Sequence, residues 1–252
     1  MKIENFELLK KNLSFLSQLS KDQLYIRPND GKIHFLNFNN ERTIIGDYSF
    51  QWKKNPENFS IRLGNLFYDI FSRIEKGSDV FLDFNENKVI CEVKYENIKF
   101  KSSLESYEDG FQGFPQYNPG DTFKISGKKL YHGLNLLARF KSDLKLTTDP
   151  DELVINAKNG DGDLELRIPS DIESKTDKVT TSTYDYEIIK HLLKPSKLAK
   201  KVEINLSFNK KLNDNLLILK FYYNGSNSTL KYLFTPKGEL KWIILNLTRK
   251  TI

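Results

Sequence analysis

The sequence predicts an α+β protein in which β structure outweighs helix, built from a unit of one helix and about three strands used four times. Three observations carry this expectation. Alanine, the strongest helix former, occurs only at Ala138, Ala157 and Ala199 in 252 residues, whereas 18 Phe and 12 Tyr suit half-buried strands. Apolar residues recur at three- and four-residue spacing in four stretches, 5–19, 64–75, 127–140 and 184–193, each followed by several strand-like runs. A 38% hydrophobic and 13% aromatic content supports a packed core despite 29% charged residues.

In chain order, Phe6, Leu9, Leu13, Leu16 and Leu19 form one face of a helix over Asn5–Leu19, with Leu8 and Phe15 beside it. Gln23–Arg27 and Lys32–Asn37 flank an Asp30-Gly31 turn and read as a hairpin. Thr43–Trp52 is a strand, Lys53–Pro56 a loop and Asn58–Leu63 a short strand. A helix over Gly64–Glu75 presents Leu66, Phe67, Ile70, Phe71 and Ile74, and Lys76-Gly77 ends it. Strands follow at Asp79–Phe84, Lys88–Lys94 and Glu96–Leu104.

Ser106–Asp121 holds three Gly and two Pro without periodicity, so it reads as a connector between a first domain, 1–105, and a second, 122–252. The second domain repeats the grammar of the first. Thr122–Ile125 is a strand, and Gly127–Phe140 is a helix with Leu130, Leu134, Leu137 and Ala138 inward. Asp143–Thr147, Glu152–Ala157 and Asp163–Ile168 are strands, followed by a strand at Lys178–Thr183 and a helix over Tyr184–Leu193 that should stop before Pro195. Val202–Phe208, Leu216–Tyr223, Thr229–Phe234 and Glu239–Leu247 complete the strand-like runs.

Several chemistries have no footing in this sequence. No phosphate loop, dinucleotide fingerprint or nucleophile elbow occurs, and His34, His132 and His191 lack metal-ligand spacing, so neither a cofactor nor a metal is expected. Asn159–Asp163 starts like a calcium loop, but Ser170 stands where the closing glutamate belongs, and a hairpin turn explains it. Cys91, alone in VICEV, reads as a core residue and forms no internal disulfide. The opening MKIENFELLKKNL lacks a signal-peptide pattern, and no apolar run approaches the ~20 residues of a membrane span, so a reducing, cytoplasmic setting is expected.

Charge placement is the one chemical pattern that stands out. Net charge is +6, from 39 Lys+Arg and 33 Asp+Glu. Cations accompany every helix: Lys10 and Lys11, Arg73 and Lys76, Arg139 and Lys141, and Lys194 and Lys197. Acids gather in the connector (Glu108, Asp109) and in turns. Solvation of amphipathic helices explains each cluster singly. Four helices on one surface would instead attract phosphates without reading base sequence.

The segment FKISGKKLYHGLNLLARFKSDLKLTTDPDELVINAKNGDGDLELRIP (Phe123–Pro169), the later TSTYDYEIIKHLLKPSKLAKKVEINLSF and the closing Tyr232-Leu233-Phe234-Thr235-Pro236-Lys237 resemble DNA sliding clamps of the proliferating-cell-nuclear-antigen and phage-clamp type. The first half matches less well: its opening strand is nearly missing and NNERTIIGDYSF departs from the family pattern. GELKWIILNLTRKTI also continues past the usual end. The resemblance implies a DNA-clamp fold of two similar domains, each of two βαβββ units, with sheets outside and helices lining a ring of three subunits. It implies a non-enzymatic processivity factor that encircles duplex DNA, tethers a DNA polymerase and needs a clamp loader, in an archaeal or viral setting, with self or sister subunits completing the trimer.

Carried over by position, the ring lining would be Lys10, Lys11, Arg73, Lys76, Arg139, Lys141, Lys194 and Lys197. The edges joining subunits would be Tyr95–Leu104, with Tyr95, Ile98 and Phe100, and Gly162–Ile168, with Leu164, Leu166 and Ile168. A partner pocket would use Ile44, Ile45, Phe111, Phe114, Pro115, Phe234 and Pro236. Two other classes stay open: a monomeric basic processivity or viral late-transcription factor of clamp-like fold, and an enzyme whose site uses Asp161, Asp163 and Glu165, for which only the carboxylates themselves speak.

Overall fold

The computed structural model describes residues 2–41, 43–52, 59–85, 88–105, 121–149, 151–169, 179–209 and 214–237. The Lys53–Pro56 loop, the body of the connector and the expected strand at Glu239–Leu247 lie outside the described residues. Among those described, the chain is α+β. The first half contains α1 (Phe6–Leu16), β1 (Leu24–Asn29), β2 (Lys32–Phe38), β3 (Ile44–Gln51), β4 (Ile61–Leu63), α2 (Asn65–Arg73), β5 (Asp79–Asn85), β6 (Lys88–Tyr95) and β7 (Ile98–Glu105). The second contains β8 (Asp121–Ser126), α3 (Gly127–Leu137), β9 (Leu144–Asp149), β10 (Glu152–Asn159), β11 (Gly162–Pro169), β12 (Thr180–Tyr184), α4 (Ile188–Leu198), β13 (Lys201–Asn209), β14 (Asp214–Tyr222) and β15 (Thr229–Phe234).

The strands form three sheets, ordered β4-β1-β2-β3-β15-β14-β13-β8, β11-β10-β9-β12 and β5-β6-β7. The repeated unit is visible in the pairing. In the second half, β8-α3-β9-β10-β11 and β12-α4-β13-β14-β15 exchange first strands, since β8 pairs with β13 and β12 with β9. In the first half β4, which precedes α2, likewise pairs with β1 of the other unit. The strand that should precede α1 is reduced to a bridge between Lys2 and Phe81, with the Ile3 amide donating to the Val80 carbonyl at 2.8 Å. Antiparallel pairing of β3 with β15, from Ile44↔Phe234 to Ser49↔Thr229, makes one eight-stranded sheet out of both halves.

Local chemistry accounts for many of the boundaries. Asn5 caps α1 by accepting from the Leu8 amide at 3.1 Å, and Ser126 caps α3 by accepting from the Lys129 amide at 3.3 Å. Asp30 and Gly31, at φ of 50° and 70°, make the two-residue hairpin turn that the strand twist favours.

Two expectations need correction. Leu66, assigned to the buried face of α2, is 59% exposed, and Tyr68 takes the inward position, its hydroxyl accepting from Asn37 Nδ2 at 2.9 Å. The fourth helix does not stop before Pro195 but runs through it to Leu198, while Tyr184 ends β12 rather than opening the helix. Pro195 cannot donate to the His191 carbonyl. Packing compensates at this end of α4: the Gly127 amide donates to the Lys200 carbonyl at 3.3 Å, and Gly127 lies against the Ser196 and Ala199 carbonyls. A Cβ at Gly127 would sit 2.2 Å from one of those oxygens, so close approach of α3 to α4 requires glycine here.

Candidate nucleic-acid and partner interfaces

The eight-stranded sheet has two buried faces of different character. Alternate residues such as Ile33, Phe35, Ile44, Tyr48, Ile204, Leu219, Tyr232 and Phe234 join the helix residues in the main core. The opposite face carries a second cluster, Tyr25, Leu36, Phe38, Ile45, Leu216, Ile218 and Leu233, none more than 3% exposed and none grouped with a helix residue. The four helices among the described residues therefore pack on one side. There α1 meets α2, α3 meets α4, and α1 meets α4 across the two halves.

Most of the expected lining cations belong to this helix layer, but Lys141 does not: it lines a groove with Lys145, Asp163 and Glu165 on the outward face of β9–β11. Lys11, Arg73, Lys76, Arg139, Lys141, Lys194 and Lys197 are exposed. Lys10 differs: its ammonium is half-buried and donates to the Ile74 carbonyl at 2.6 Å, closing the end of α2. Lys197 Nζ lies 5.8 Å from the Tyr131 ring centroid, which ties α4 to α3 through an exposed cation–π contact. Lys190 also pairs with Glu187, and this hydrogen bond holds the Glu187 carboxyl below its ordinary range.

β7 and β11, each of eight residues, are the terminal strands of their sheets. On β7 the core-side alternation includes Leu104, which is buried, but also Ile98 and Phe100, which are 68% and 50% exposed. On β11 the corresponding residues face inward: Leu164 and Leu166 are partly covered, Leu166 packing on Gly133 of α3, and Ile168 is fully buried. Ile168 thus belongs to the core of its own chain. Tyr95, at the end of β6, is half-buried. The other side of β7 carries Lys99 and Lys101, whereas that of β11 carries Asp163, Glu165 and Arg167.

The four described residues assigned to a partner pocket do not share one surface. Ile44 and Phe234 face the helices, and Ile45 faces the opposite way. Ile44 and Pro236 do meet at a cavity of about 540 Å³, which His191 and Lys237 also line. Phe111, Phe114 and Pro115 lie outside the described residues. Six members of the outer cluster were missed: Tyr25, Leu36, Phe38, Leu216, Ile218 and Leu233. Their signal was present, because Leu216–Leu219 and Tyr232–Phe234 are unbroken apolar runs where a strand with one wet face would alternate.

Beyond the apolar cluster, the same outer face becomes charged. His34 Nδ1 contacts the Asp47 carboxylate at 2.9 and 3.1 Å, and Lys231 Nζ lies 3.7 Å from it. Burial lowers the pKa values of Lys231 and of nearby Arg27, and attraction to Asp47 opposes both shifts. Glu203 accepts from Tyr222 at 2.6 Å and from Lys201 at 2.7 Å.

No cluster among the described residues has three His, Cys, Asp or Glu side chains placed to hold a metal ion. Asn159 Oδ1 accepts from the Asp161 amide at 2.9 Å as in an ordinary turn, and Glu165 is held by Arg167. Cys91 is fully buried and its thiol is pushed up to about 11 by burial, whereas a reactive thiol needs a lowered pKa. No helix of the described residues is long and apolar enough to cross a membrane. Neither a protein-family model nor a curated protein matches the sequence.

Proposed function

We propose that this chain is one subunit of a ring-shaped sliding clamp, which encircles duplex DNA and tethers a polymerase without doing chemistry itself. The single observation that carries the reading is the pair of terminal strands β7 and β11, equal in length and at the ends of different sheets. An open edge is ordinarily blunted or covered. Here β7 leaves Ile98 and Phe100 exposed on its core side, so a second copy or a sister subunit would extend that core by adding its β11. Lys99 and Lys101 would then face Asp163 and Glu165 across the new pair. Such a contact is heterologous, and it closes into a ring when the rotation per subunit allows.

The helix layer supports the DNA part of the reading. α3 and α4 carry Lys128, Lys129, Lys190, Lys194 and Lys197 and no acid. Exposed cations on helices would meet phosphates through water, reading no bases and permitting sliding.

The test has two parts. Light scattering of the chain, alone and with candidate sister subunits, should give a trimer that Phe100→Asp disrupts. The assembled ring should stay on nicked circular DNA at high salt and run off after linearisation. Retention on linear DNA with free ends, or a monomer with steeply salt-dependent binding, would sink the ring reading.

A further inference from the structure

We infer that the outward face of the sheet β11-β10-β9-β12 is a docking groove for an extended peptide of a partner protein, with acidic side chains at alternate positions. This inference does not depend on the ring reading. The groove is open: it has a volume of about 840 Å³, and Lys141, Lys145, Lys158, Asp163 and Glu165 along it are exposed. Its acids and bases are unequally engaged. Asp143 is bound by Lys237 at 2.7 Å and Glu165 by Arg167 at 2.6 Å. Lys141, Lys145 and Lys158 form no ion pair with any described residue, which leaves them facing Asp163 as the one lining acid without a cation of its own. The surplus is positive, and it calls for an anionic occupant.

Strand register sets the form of that occupant. Lys145 lies opposite Asn156, so Lys158, two residues farther along β10 and on the same side, is its diagonal neighbour. Diagonal neighbours stand about 7–8 Å apart. An extended peptide repeats its side chains on one face every ~6.6 Å, close to that spacing. Carboxylates at alternate positions of such a peptide therefore meet Lys158 and Lys145 in turn. The next position on the same face reaches Thr147 and Val154, which pair with each other, and Val154 is the one apolar side chain among the described lining residues. Single-stranded nucleic acid is the competing polyanion, and it fits less well. No described lining residue is aromatic, so the groove offers no platform for base stacking, and Asp163 on the β11 side would repel a continuous phosphate backbone. Contacts made by exposed lysines are screened by salt, so the affinity should be modest and salt-sensitive.

Fluorescence anisotropy with a labelled peptide of sequence SESESLS tests this. The intact chain should bind it saturably, and more tightly than SSSEELS, which has the same composition with adjacent acids. Lys145→Glu with Lys158→Glu should weaken binding about ten-fold without changing the melting curve. Lys194→Glu with Lys197→Glu, on α4, should leave peptide binding unchanged. No binding of SESESLS, equal binding of the two peptides, or a loss confined to the α4 variant overturns the inference. Displacement of the peptide from the α4 variant by an equal concentration of a thymidine oligonucleotide would make the groove a nucleic-acid site and overturn it as well. If the groove variant melts early, the comparison of the two peptides on the intact chain decides alone.

Discussion

The two halves of the molecule follow one plan with different completeness. In the second half the strand preceding α3 is whole and pairs with β13 over six residues. In the first half the strand that should precede α1 survives as the Lys2–Phe81 bridge. The helices differ in parallel. α1 and α2 mix Glu7 and Asp69 with Lys10, Lys11 and Arg73, and Lys10 is committed to the Ile74 carbonyl. α3 and α4 carry only cations. Shared topology thus fixes where the helices lie, while each half remains free to change its edge and its charge. The eight-stranded sheet, through β3 and β15, is what makes the halves one body.

That last point is the easiest to break. Phe71→Ala removes a ring stacked on Phe67 at 4.2 Å and should destabilise the protein by about 3–5 kcal/mol. If the shared sheet couples the halves, calorimetry will still show a single transition. Two separated transitions would mean that the first half unfolds by itself.

A pH titration sharpens the comparison, because a buried histidine with a lowered pKa, His191, lies in the second half. Burial holds the His191 pKa down to about 4, from 6.5. Between those values the unfolded chain binds a proton that the folded chain refuses, so stability falls as pH drops from 6.5 toward 4, by about 2–3 kcal/mol. His191→Gln should flatten this part of the stability profile measured by urea unfolding. An unchanged slope would place the acid sensitivity elsewhere.

Two glycines at strand-to-helix junctions should respond oppositely. Gly127→Ala drives a Cβ into the Ser196 and Ala199 carbonyls and should cost about 1–3 kcal/mol in thermal melts. Gly64 has open space and caps α2 without a side-chain bond, so Gly64→Ser should add a few tenths of a kcal/mol, about the difference between these two caps. Between these in size stands the helix charge. On the proposed clamp reading, Lys194→Glu with Lys197→Glu should weaken DNA binding more than Lys11→Glu with Arg73→Glu, and each lost phosphate contact should reduce the salt slope by about 0.9. Equal losses would remove the asymmetry between the halves.

Much of this fold was legible in the sequence because its signals are local. The 3.6-residue periodicities located the four helices of the described residues, Asp30-Gly31 located the first hairpin, and the repeat of one helix and three strands emerged from spacing alone. The failures are equally specific. Pro195 signalled a stop that packing against Gly127 overrides, and Leu66 looked buried because α2 has more apolar residues than its inner face can hold. For the candidate interfaces, the cationic helices were legible as composition, but the commitment of Lys10 to the Ile74 carbonyl was not. Nor could one linear pattern reveal that Ile44 and Ile45 face opposite ways, or that Phe234 and Ile168 are core.

By itself the sequence determined the α+β class, the repeated unit and the helices that carry cations, since periodicity and charge are properties of neighbouring residues. Only the tertiary structure decided which edges remain open, which face of the shared sheet meets the helices and which apolar residues form its second, outward cluster. Those outcomes depend on strands brought together from distant parts of the chain. A shift of one residue in their register would turn every side chain to the other face.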